Sequence, residues 1–579
     1  MSLPPATDVL IVGAGPVGLL TGIGLTQQGV DCVLVGITAR ELDEADDIEK
    51  RERDVQATFG RATTLYPRSL ELLEQLNVAD DLIQEGFVSR SSINFKDGKR
   101  VNERGWNLMF DHFKPCYHDY ALNIRQRYSE DVFRNHFERY GKPVWFSWKL
   151  TTYAIDTSLG DGYNVTATLE HKTMGKAHVR CKYLVGSDGG SSSVRQLAGI
   201  DLDLDPTTHE WIRIDGKMTT DMPDANIGFA SIETEHHGNI LWVKLDRDTH
   251  RVGFALTPAL LAKYPNGITQ DEALKEAAEG MKPFKLEVDR LDWWTHYKIK
   301  QSVAQVLQKD QFILLGGDAA HTHSSGFAQG MNTGIHDATN LVWKLAGTIK
   351  GWYKPSVLET YASERHAAAK KLIGIDKDAA AVISGEIPAQ YQGLGRTADE
   401  ILWKIFGKNI GFNVGLGVTY AKNIINQSPL MTTLPCGVRS PDALVCAPGS
   451  KVPLRLHDAL LGDGRRGCWS IVVFAGNPGF TSADFPTLRE TLPTFAGRHN
   501  GMIRLVTLMV GTAGSGWEAL GGSPLGRFFF DRDGTCHSEY GVDSKSGALV
   551  VIRPDGIISF AAGLNKANII KEYFISYIN

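Results

Sequence analysis

Three short stretches combine an apolar strand, glycines and an acid in an order suited to holding a phosphorylated, ring-bearing ligand. Phe312–Lys344 reads FILLGGDAAHTHSSGFAQGMNTGIHDATNLVWK. Its apolar Phe312–Leu315 ends at Gly316 and Gly317, Asp318 follows as an acceptor, and Gly326, Gly330 and Gly334 punctuate a loop that runs into an amphipathic helix. Gln329, Gly330, Met331, Asn332 and Thr333 stand where that helix starts, and unpaired N–H groups there suit anions and electron-rich ring edges. Near the start, Asp8–Gly18 (DVLIVGAGPVG) runs a buried strand into Gly13-x-Gly15-x-x-Gly18, with Pro16 and Val17 opening a helix. Between them, Tyr183–Arg195 (YLVGSDGGSSSVR) is a strand ending at Asp188 and Gly189.

The elements around the first motif are those a dinucleotide fingerprint requires: strand Val9–Val12, a helix through Gln28 and a second strand Cys32–Val35. That strand runs into Gly36, where such folds place an acid for the adenosine ribose. A charged segment, Arg40–Asp54, follows and reads as a solvated insertion, although one of its acids could fold back to the ribose. Val144–Lys182 and Leu202–Lys300 alternate apolar and polar residues, as half-buried strands do. Pro355–Gln427 reads as helical, and Ser129 reads as the N-cap of a helix Glu130–Tyr140. A new unit of strands and helices begins at Gly437.

At 579 residues the chain predicts two or three domains. Its 61 basic and 66 acidic residues leave a net charge of −5, which gives no footprint for nucleic acid or an anionic membrane. Seven scattered cysteines without a CxxC pair predict reduced thiols rather than a disulfide framework or zinc site. With no signal-peptide pattern and no apolar run of spanning length, the expected location is the cytoplasm, without a membrane partner.

Taken in order, the three motifs resemble those of the class A (single-component) flavoprotein monooxygenases, and most of all the fungal phenol 2-monooxygenase-like group. The resemblance implies an α/β (α+β) chain. A Rossmann-like FAD-binding domain would occupy 1–86, 110–196 and 297–375, interleaved with a substrate-binding sheet domain at 87–109 and 197–296. A helical connector at 376–436 and a thioredoxin-like domain at 437–579 would complete it. It implies non-covalent FAD held by Gly13, Gly15, Pro16, Val17, Gly18, Asp188, Gly189, Gly317, Asp318 and Gln329–Thr333, with Arg61, Ala62 and Gln126 on family flavin-facing segments. Arg68 is a further candidate for FAD phosphate, against an ion pair with Glu71 or Glu74. NADPH, or NADH, would be a transient co-substrate, O2 the oxidant, a small aromatic molecule the substrate, and a homodimer the assembly. The expected reaction is hydroxylation of a phenol by a flavin C4a-hydroperoxide; the same chemistry gives oxidative decarboxylation, dearomatisation or Baeyer–Villiger oxidation.

The family's acid–base residues do not carry over. Its aspartate, arginine and tyrosine align with Thr63, Leu245 and Gly253, and its proline beside the flavin is Ser325. Loss of those groups suggests an opened pocket and a substrate larger than phenol, bordered by Thr63, His236, Trp242, Gly253 and Ser325, with Phe254, Trp293 and Trp294 as further aromatic candidates. His250, before the strand Arg251–Leu256, is the expected catalytic base, ahead of His236 and His237. No metal is expected. A flavin halogenase and a non-catalytic FAD binder are the competing classes; Asp292–His296 only loosely matches the halogenase element.

Overall fold

The computed structural model describes all residues except 1, 37–60, 102–105 and the short positions 206, 235, 394, 430–431, 451, 462–463, 465, 500 and 513–514. The charged segment Arg40–Asp54 therefore lies outside the described residues. The chain divides into two compact units. One is 1–26, 31–338 and 365–416; the other is 27–30, 339–364 and 417–579.

In the first unit, strand Ala6–Val12 is buried over Val9–Val12 and pairs in parallel with Cys32–Gly36 on one side and Gly175–Gly186 on the other. Ile313–Leu315 and Val144–Phe146 extend the sheet outward, also in parallel. Apolar runs buried on both faces are what a parallel sheet demands. All three motifs leave the sheet at its carboxyl edge, the position where open α/β sheets bind ligands. Pro16 starts the helix Pro16–Gln27 with its φ already set. Gly22 on that helix admits the ring of Phe137, since a Cβ there would lie 2.8 Å from it.

The second sheet of this unit has seven strands, and two distant stretches of sequence meet in it. Ser91–Lys96 pairs in parallel with Gly228–Thr234, while Glu210–Thr220, Gly238–Lys244, His250–Ala255 and Leu286–Lys298 pair antiparallel. The interleaved substrate domain is thus realised. Ile212, Ile214, Val252 and Phe254 share one apolar face, packed with Ala273 and Ala277 of helix Gln270–Gly280. Thr269 and Glu272 close that helix's N-terminus with a reciprocal capping box.

In the second unit a five-stranded sheet runs Arg527–Asp531, Ile503–Val510, Trp469–Gly476, Ala548–Ile552 and Ile558–Ala562. The first three strands are parallel and the last two antiparallel, with helices Phe485–Arg498 and Ala567–Ile575: the thioredoxin-like domain, without any disulfide, since all seven cysteines are free. Glu364 is buried within this unit and accepts from Lys344, Arg553, Asn340, Asn423 and Asn426 at 2.7–3.0 Å. Burial alone would raise its pKa, but Arg553 and Lys344 hold it well below the carboxylate range.

Two local expectations are corrected. Pro355–Gln427 is helical only over Pro355–Ile383 and Ala398–Asn413, because Pro388, Gly393 and Gly395 interrupt the helical run. The helix assigned to Glu130–Tyr140 begins earlier, at Gln126, with Arg125 as its N-cap. Among the described residues no helix is long and apolar enough to cross a membrane, and no cluster of metal ligands occurs.

Candidate active site

The three motifs converge because glycine lets them approach closely, backbone to backbone at Gly13 and backbone to side chain at Gly317 and Gly334. A Cβ on Gly13 would lie 2.2 Å from the Ser187 carbonyl, and Ser187 itself donates to the carbonyls of Val12 and Gly13. A Cβ on Gly317 or on Gly334 would lie 2.7 or 2.6 Å from Val17 Cγ2. The start of helix Pro16–Gln27, the Gly317 corner and the start of helix Gln329–Ile349 therefore meet at Val17. Arg195 ties the second and third motifs together by donating to the carbonyls of Gly190 and Ala319, both at 2.8 Å.

The open side of this cradle fits FAD. A Cβ on Gly15 or Gly189 would meet nothing within 4 Å, so both backbones face space at the sheet's edge. The Asp318 carboxylate is exposed and has no partner among the described residues. Gly13, Gly15, Pro16, Val17 and Gly18 would take the pyrophosphate at a helix N-terminus, and Asp318 would accept from the ribityl chain. Gly36 is buried against Ala14, and no acid stands there for the ribose.

Other expected contacts are spent on shaping the cradle. The Asp188 carboxylate accepts from Ser192, Ser193 and Val194 at 2.5–3.2 Å, which caps the short helix Ser193–Leu197. Asn332 donates to the carbonyls of Thr64 and Ala328 and accepts from Tyr66 N–H and the Ser69 hydroxyl, bracketing the loop before helix Pro67–Gln75. Gln329 donates to the Asn413 carbonyl, Met331 is buried, and the Thr333 carbonyl accepts from Arg365. Gly330 keeps open space, with His323 no nearer than 3.9 Å to a built Cβ. Gln126 holds Ala62 through its backbone at 2.9 Å and reaches Glu130 with its amide. Arg61 is exposed with φ +64°, a left-handed non-glycine position. Arg68 is buried against Glu71 at 3.0 Å, so the ion-pair reading holds and its place is interior rather than surface.

One layer behind, Asp337 pins the Gly317 corner. Its carboxylate accepts from Gly317 N–H at 3.0 Å, His321 at 2.7 Å and Arg365 at 2.6 Å. Burial would raise its pKa, but His321 and Arg365 hold it well below the carboxylate range. It was not singled out from sequence, although an acid on an otherwise apolar helix face is the available signal.

The substrate sheet turns one face toward these loops. Register places Trp211, Arg213 and Asp215 beside Ala255, Gly253 and Arg251 on one neighbour, and beside Tyr297, Thr295 and Trp293 on the other. Arg251 forms a bidentate pair with Asp215 at 2.6 and 2.8 Å and donates to the Arg61 carbonyl at 2.7 Å, with Thr63 at 3.3 Å. Arg213 donates to Ser325 at 3.0 Å, and Tyr297 shares a hydrogen bond with the same hydroxyl. An apolar cavity lies here, bounded by Trp211, Arg213, Gly253, Gly326, Phe327 and, across it, Trp403 and Phe406.

This placement overturns several pocket expectations. His250 shares its strand face with the core residues Val252 and Phe254, while Arg251 and Gly253 take the other face; its ring lies 4.5 Å from Trp242 and is bonded to Asn226. Burial and Lys244 lower its pKa to about 4, and it does not border the cavity. Trp242 is core, donating to the Ala225 carbonyl, and His236 is exposed outside the cavity. Thr63 is buried behind the Arg61 loop, Leu245 belongs to an apolar cluster, Trp294 packs on the sheet core and Trp293 underlies Arg251. Gly253 does line the cavity, whereas Ser325 is not among its lining residues, and the room left by Gly253 is taken: a Cβ there would lie 2.6 Å from Arg213 Nη1. Arg213, which lines the cavity, and Tyr297, bonded beside it to Ser325, were not singled out from sequence. The visible signal was a charged pair, Arg213 and Asp215, alternating with Ile212 and Ile214 in a strand otherwise fit for burial.

A family model described as "FAD binding domain" matches residues 6–375, and "Phenol hydroxylase, C-terminal dimerisation domain" matches 526–579. The FAD-dependent monooxygenase terD of Aspergillus terreus is 27% identical, with 99% of this chain and 96% of that protein aligned. The phenol 2-monooxygenase fsqG of Aspergillus fumigatus is 25% identical over 98% and 95%. A ternary complex of aklavinone-11 hydroxylase with FAD and aklavinone shares the fold, with TM-score 0.70, 19% identity and 99% of each chain covered. Together with the glycine-built cradle, these findings establish that the chain belongs to the FAD-binding-domain family of class A flavoprotein monooxygenases, in its phenol-hydroxylase-like branch.

Proposed function

We propose that this protein hydroxylates a phenolic aromatic larger than phenol, using O2 and NADPH, with one non-covalent FAD per chain. FAD, when bound, supplies electron storage and oxygen activation. The chain's own residues position that cofactor through the cradle, exclude water with Phe327 and Trp211, and hold the ring in the cavity. The observation that carries the reading is the cavity itself, apolar for most of its wall, with Arg213 on that wall bonded to Ser325 behind it. Its extent, from Gly326 to Trp403 and to Asn94 and Asn239 on the sheet, supports a polycyclic or substituted substrate. With FAD in the single dinucleotide cradle, NADPH acts as a transient visitor. The C-terminal match supports a homodimer.

The test is a product screen by mass spectrometry with phenols, hydroxybenzoates and polyketide-like aromatics, run with NADPH and labelled O2. A product heavier by one labelled oxygen is expected. Loss of the carboxylate or ring expansion would keep the flavin chemistry and remove the hydroxylase assignment.

A further inference from the structure

The other buried acids of the first unit are matched to cations: Glu71 to Arg68, Asp215 to Arg251, Asp246 to Arg125, Glu276 to Lys263 and Asp337 to Arg365. Asp376, on helix Pro355–Ile383, differs from all of these. It is 2% exposed, and among the described residues no cation lies within ion-pair distance of it. Three neutral donors satisfy its carboxylate instead: Gln301 Nε2 at 2.7 Å, Ser324 N–H at 2.7 Å and the Ser324 hydroxyl at 2.5 Å.

Burying a carboxylate without a counter-ion is costly unless its donors stay in place, and hydrogen bonds to a charged group are the short, strong ones. Asp376 therefore grips Ser324 twice, by backbone and by side chain. The Ser324 hydroxyl in turn accepts from Gly326 N–H at 3.1 Å, and Gly326 and Phe327 are cavity wall. Gln301 lies on strand Gln301–Ala304, whose Ser302 and Val303 pair with Thr322 and His321 in the same loop. Seven residues after Asp376, on the same helical face, Ile383 also lines the cavity, its Cδ1 3.4 Å from where a Cβ on Gly326 would stand. Ser384 beside it accepts from the indole of Trp211, another wall residue, at 3.0 Å. The loop 317–328 runs from the cofactor cradle to the cavity with a buried aspartate at each end. Asp337 accepts from Gly317 N–H at the cradle end, and Asp376 takes Ser324 at the cavity end.

We propose that Asp376 is a positioning residue for the aromatic substrate: acting through Ser324, it fixes the Gly326 and Phe327 wall of the cavity and leaves the cradle to Asp337. The inference rests on the reading of this cavity as the substrate site. Asp376 does not itself line the cavity, so its contribution is the placement of the wall against which the ring is held. A small shift of that wall moves the ring relative to the cradle, which costs reaction geometry rather than cofactor affinity.

The test compares wild type with Asp376→Asn, Ser324→Ala and the double variant. Each is titrated with FAD by fluorescence and, once loaded, with 2-naphthol by difference absorbance. Asp376→Asn keeps the size of the side chain but turns an amide NH2 toward donors that need an acceptor. Affinity for 2-naphthol should fall roughly tenfold, as expected for a lost charge-assisted bond, while FAD affinity stays at the wild-type value. Ser324→Ala should lower 2-naphthol affinity in the same way, and the double variant should be no weaker than Asp376→Asn, because both changes act through one bond. Hydrogen exchange of the 322–328 amides should quicken in both single variants, with the Gly317 amide as protected as in wild type. A merely structural aspartate would lower melting temperature and FAD affinity together and leave the loaded fraction binding 2-naphthol normally. That result would overturn the proposal, as would additive losses in the double variant. Should Asp376→Asn fail to fold, Ser324→Ala decides alone, and unchanged 2-naphthol affinity there overturns the proposal. Absence of saturable 2-naphthol binding by wild type would instead remove the cavity as substrate site, and this inference with it. Unchanged affinity in the variants of an enzyme that does bind 2-naphthol would remove the inference alone.

Discussion

The cofactor cradle and the substrate cavity lie in one unit and are built on opposite principles. The cradle is made of glycine backbone in close approach: Gly13 against the Ser187 carbonyl, Gly317 and Gly334 against the Val17 side chain, with open space at Gly15 and Gly189. Any side chain at the contact positions is forbidden by distance. The cavity is lined by residues from five strands, two helices and the loops that hold Trp106 and Gly326–Phe327, and at Gly253 Arg213 fills the volume beside it. A backbone site tolerates almost no sequence variation, whereas a side-chain site can be rebuilt around one exchanged pair.

The largest effect is expected behind the cradle. Asp337→Ala would strand buried Arg365, and loss of one partner from such a pair costs about 3–5 kcal/mol. The melting temperature and flavin content should fall together. Because the folded pKa of Asp337 is depressed, its stabilisation is present above the unfolded-state pKa and lost only as pH falls toward the folded value. The gap between wild type and variant in thermal unfolding should therefore stay flat from about pH 5 to 8; a gap that shrinks across that range would contradict the pinning.

Asp318→Ala should separate cofactor binding from stability. Its carboxylate is exposed, so the melting temperature of the flavin-free protein should hold, while FAD affinity drops roughly ten- to a hundredfold. Unchanged FAD affinity by fluorescence titration would mean that the ribityl chain lies elsewhere.

Gly253→Ala is the matching change in the cavity. The methyl would press on Arg213 Nη1, Cδ and Cζ at 2.6–2.9 Å, and Arg213 Nη1 is anchored to Ile212. FAD content should match wild type, while KM for the aromatic substrate rises about tenfold as the displaced Arg213 changes the cavity wall. A variant that loses flavin instead would show that cradle and cavity are not separable.

His250→Gln should have the smallest effect on turnover, with coupling of NADPH oxidation to product unchanged. Its signature is in acid. The folded pKa lies at about 4, below the unfolded value of 6.5, so wild-type stability is full above 6.5 and declines as pH falls toward 4. That slope reaches up to about 1.4 kcal/mol per pH unit and should flatten in the variant. Increased hydrogen peroxide leakage in His250→Gln would return this residue to the mechanism.

The cradle was legible in the sequence because Gly13-x-Gly15-x-x-Gly18, Asp188-Gly189 and Gly317-Asp318 each have a backbone reason to exist at fixed spacing. The interleaved sheet was also legible, from alternating residues and the resemblance together. The cavity was not. Strand period tells that Arg251 and Gly253 share a face and that His250 takes the other, but not which face meets the loops. Nor does it reveal that Arg213, forty residues before Gly253, fills the gap: cross-strand register is a property of the paired sheet. Asp188 and Asn332 show the converse, since the motifs singled them out as ligand contacts while their hydrogen bonds serve the loops' shape.

The most direct test of the account is the fate of labelled dioxygen with the purified, FAD-loaded enzyme, NADPH and the best aromatic found in the product screen. Oxygen from O2, one atom per molecule, should appear on the ring of the product, with NADPH consumption faster in the presence of the aromatic than without it. Label only in water and hydrogen peroxide, at the same NADPH rate with and without every aromatic, would contradict it.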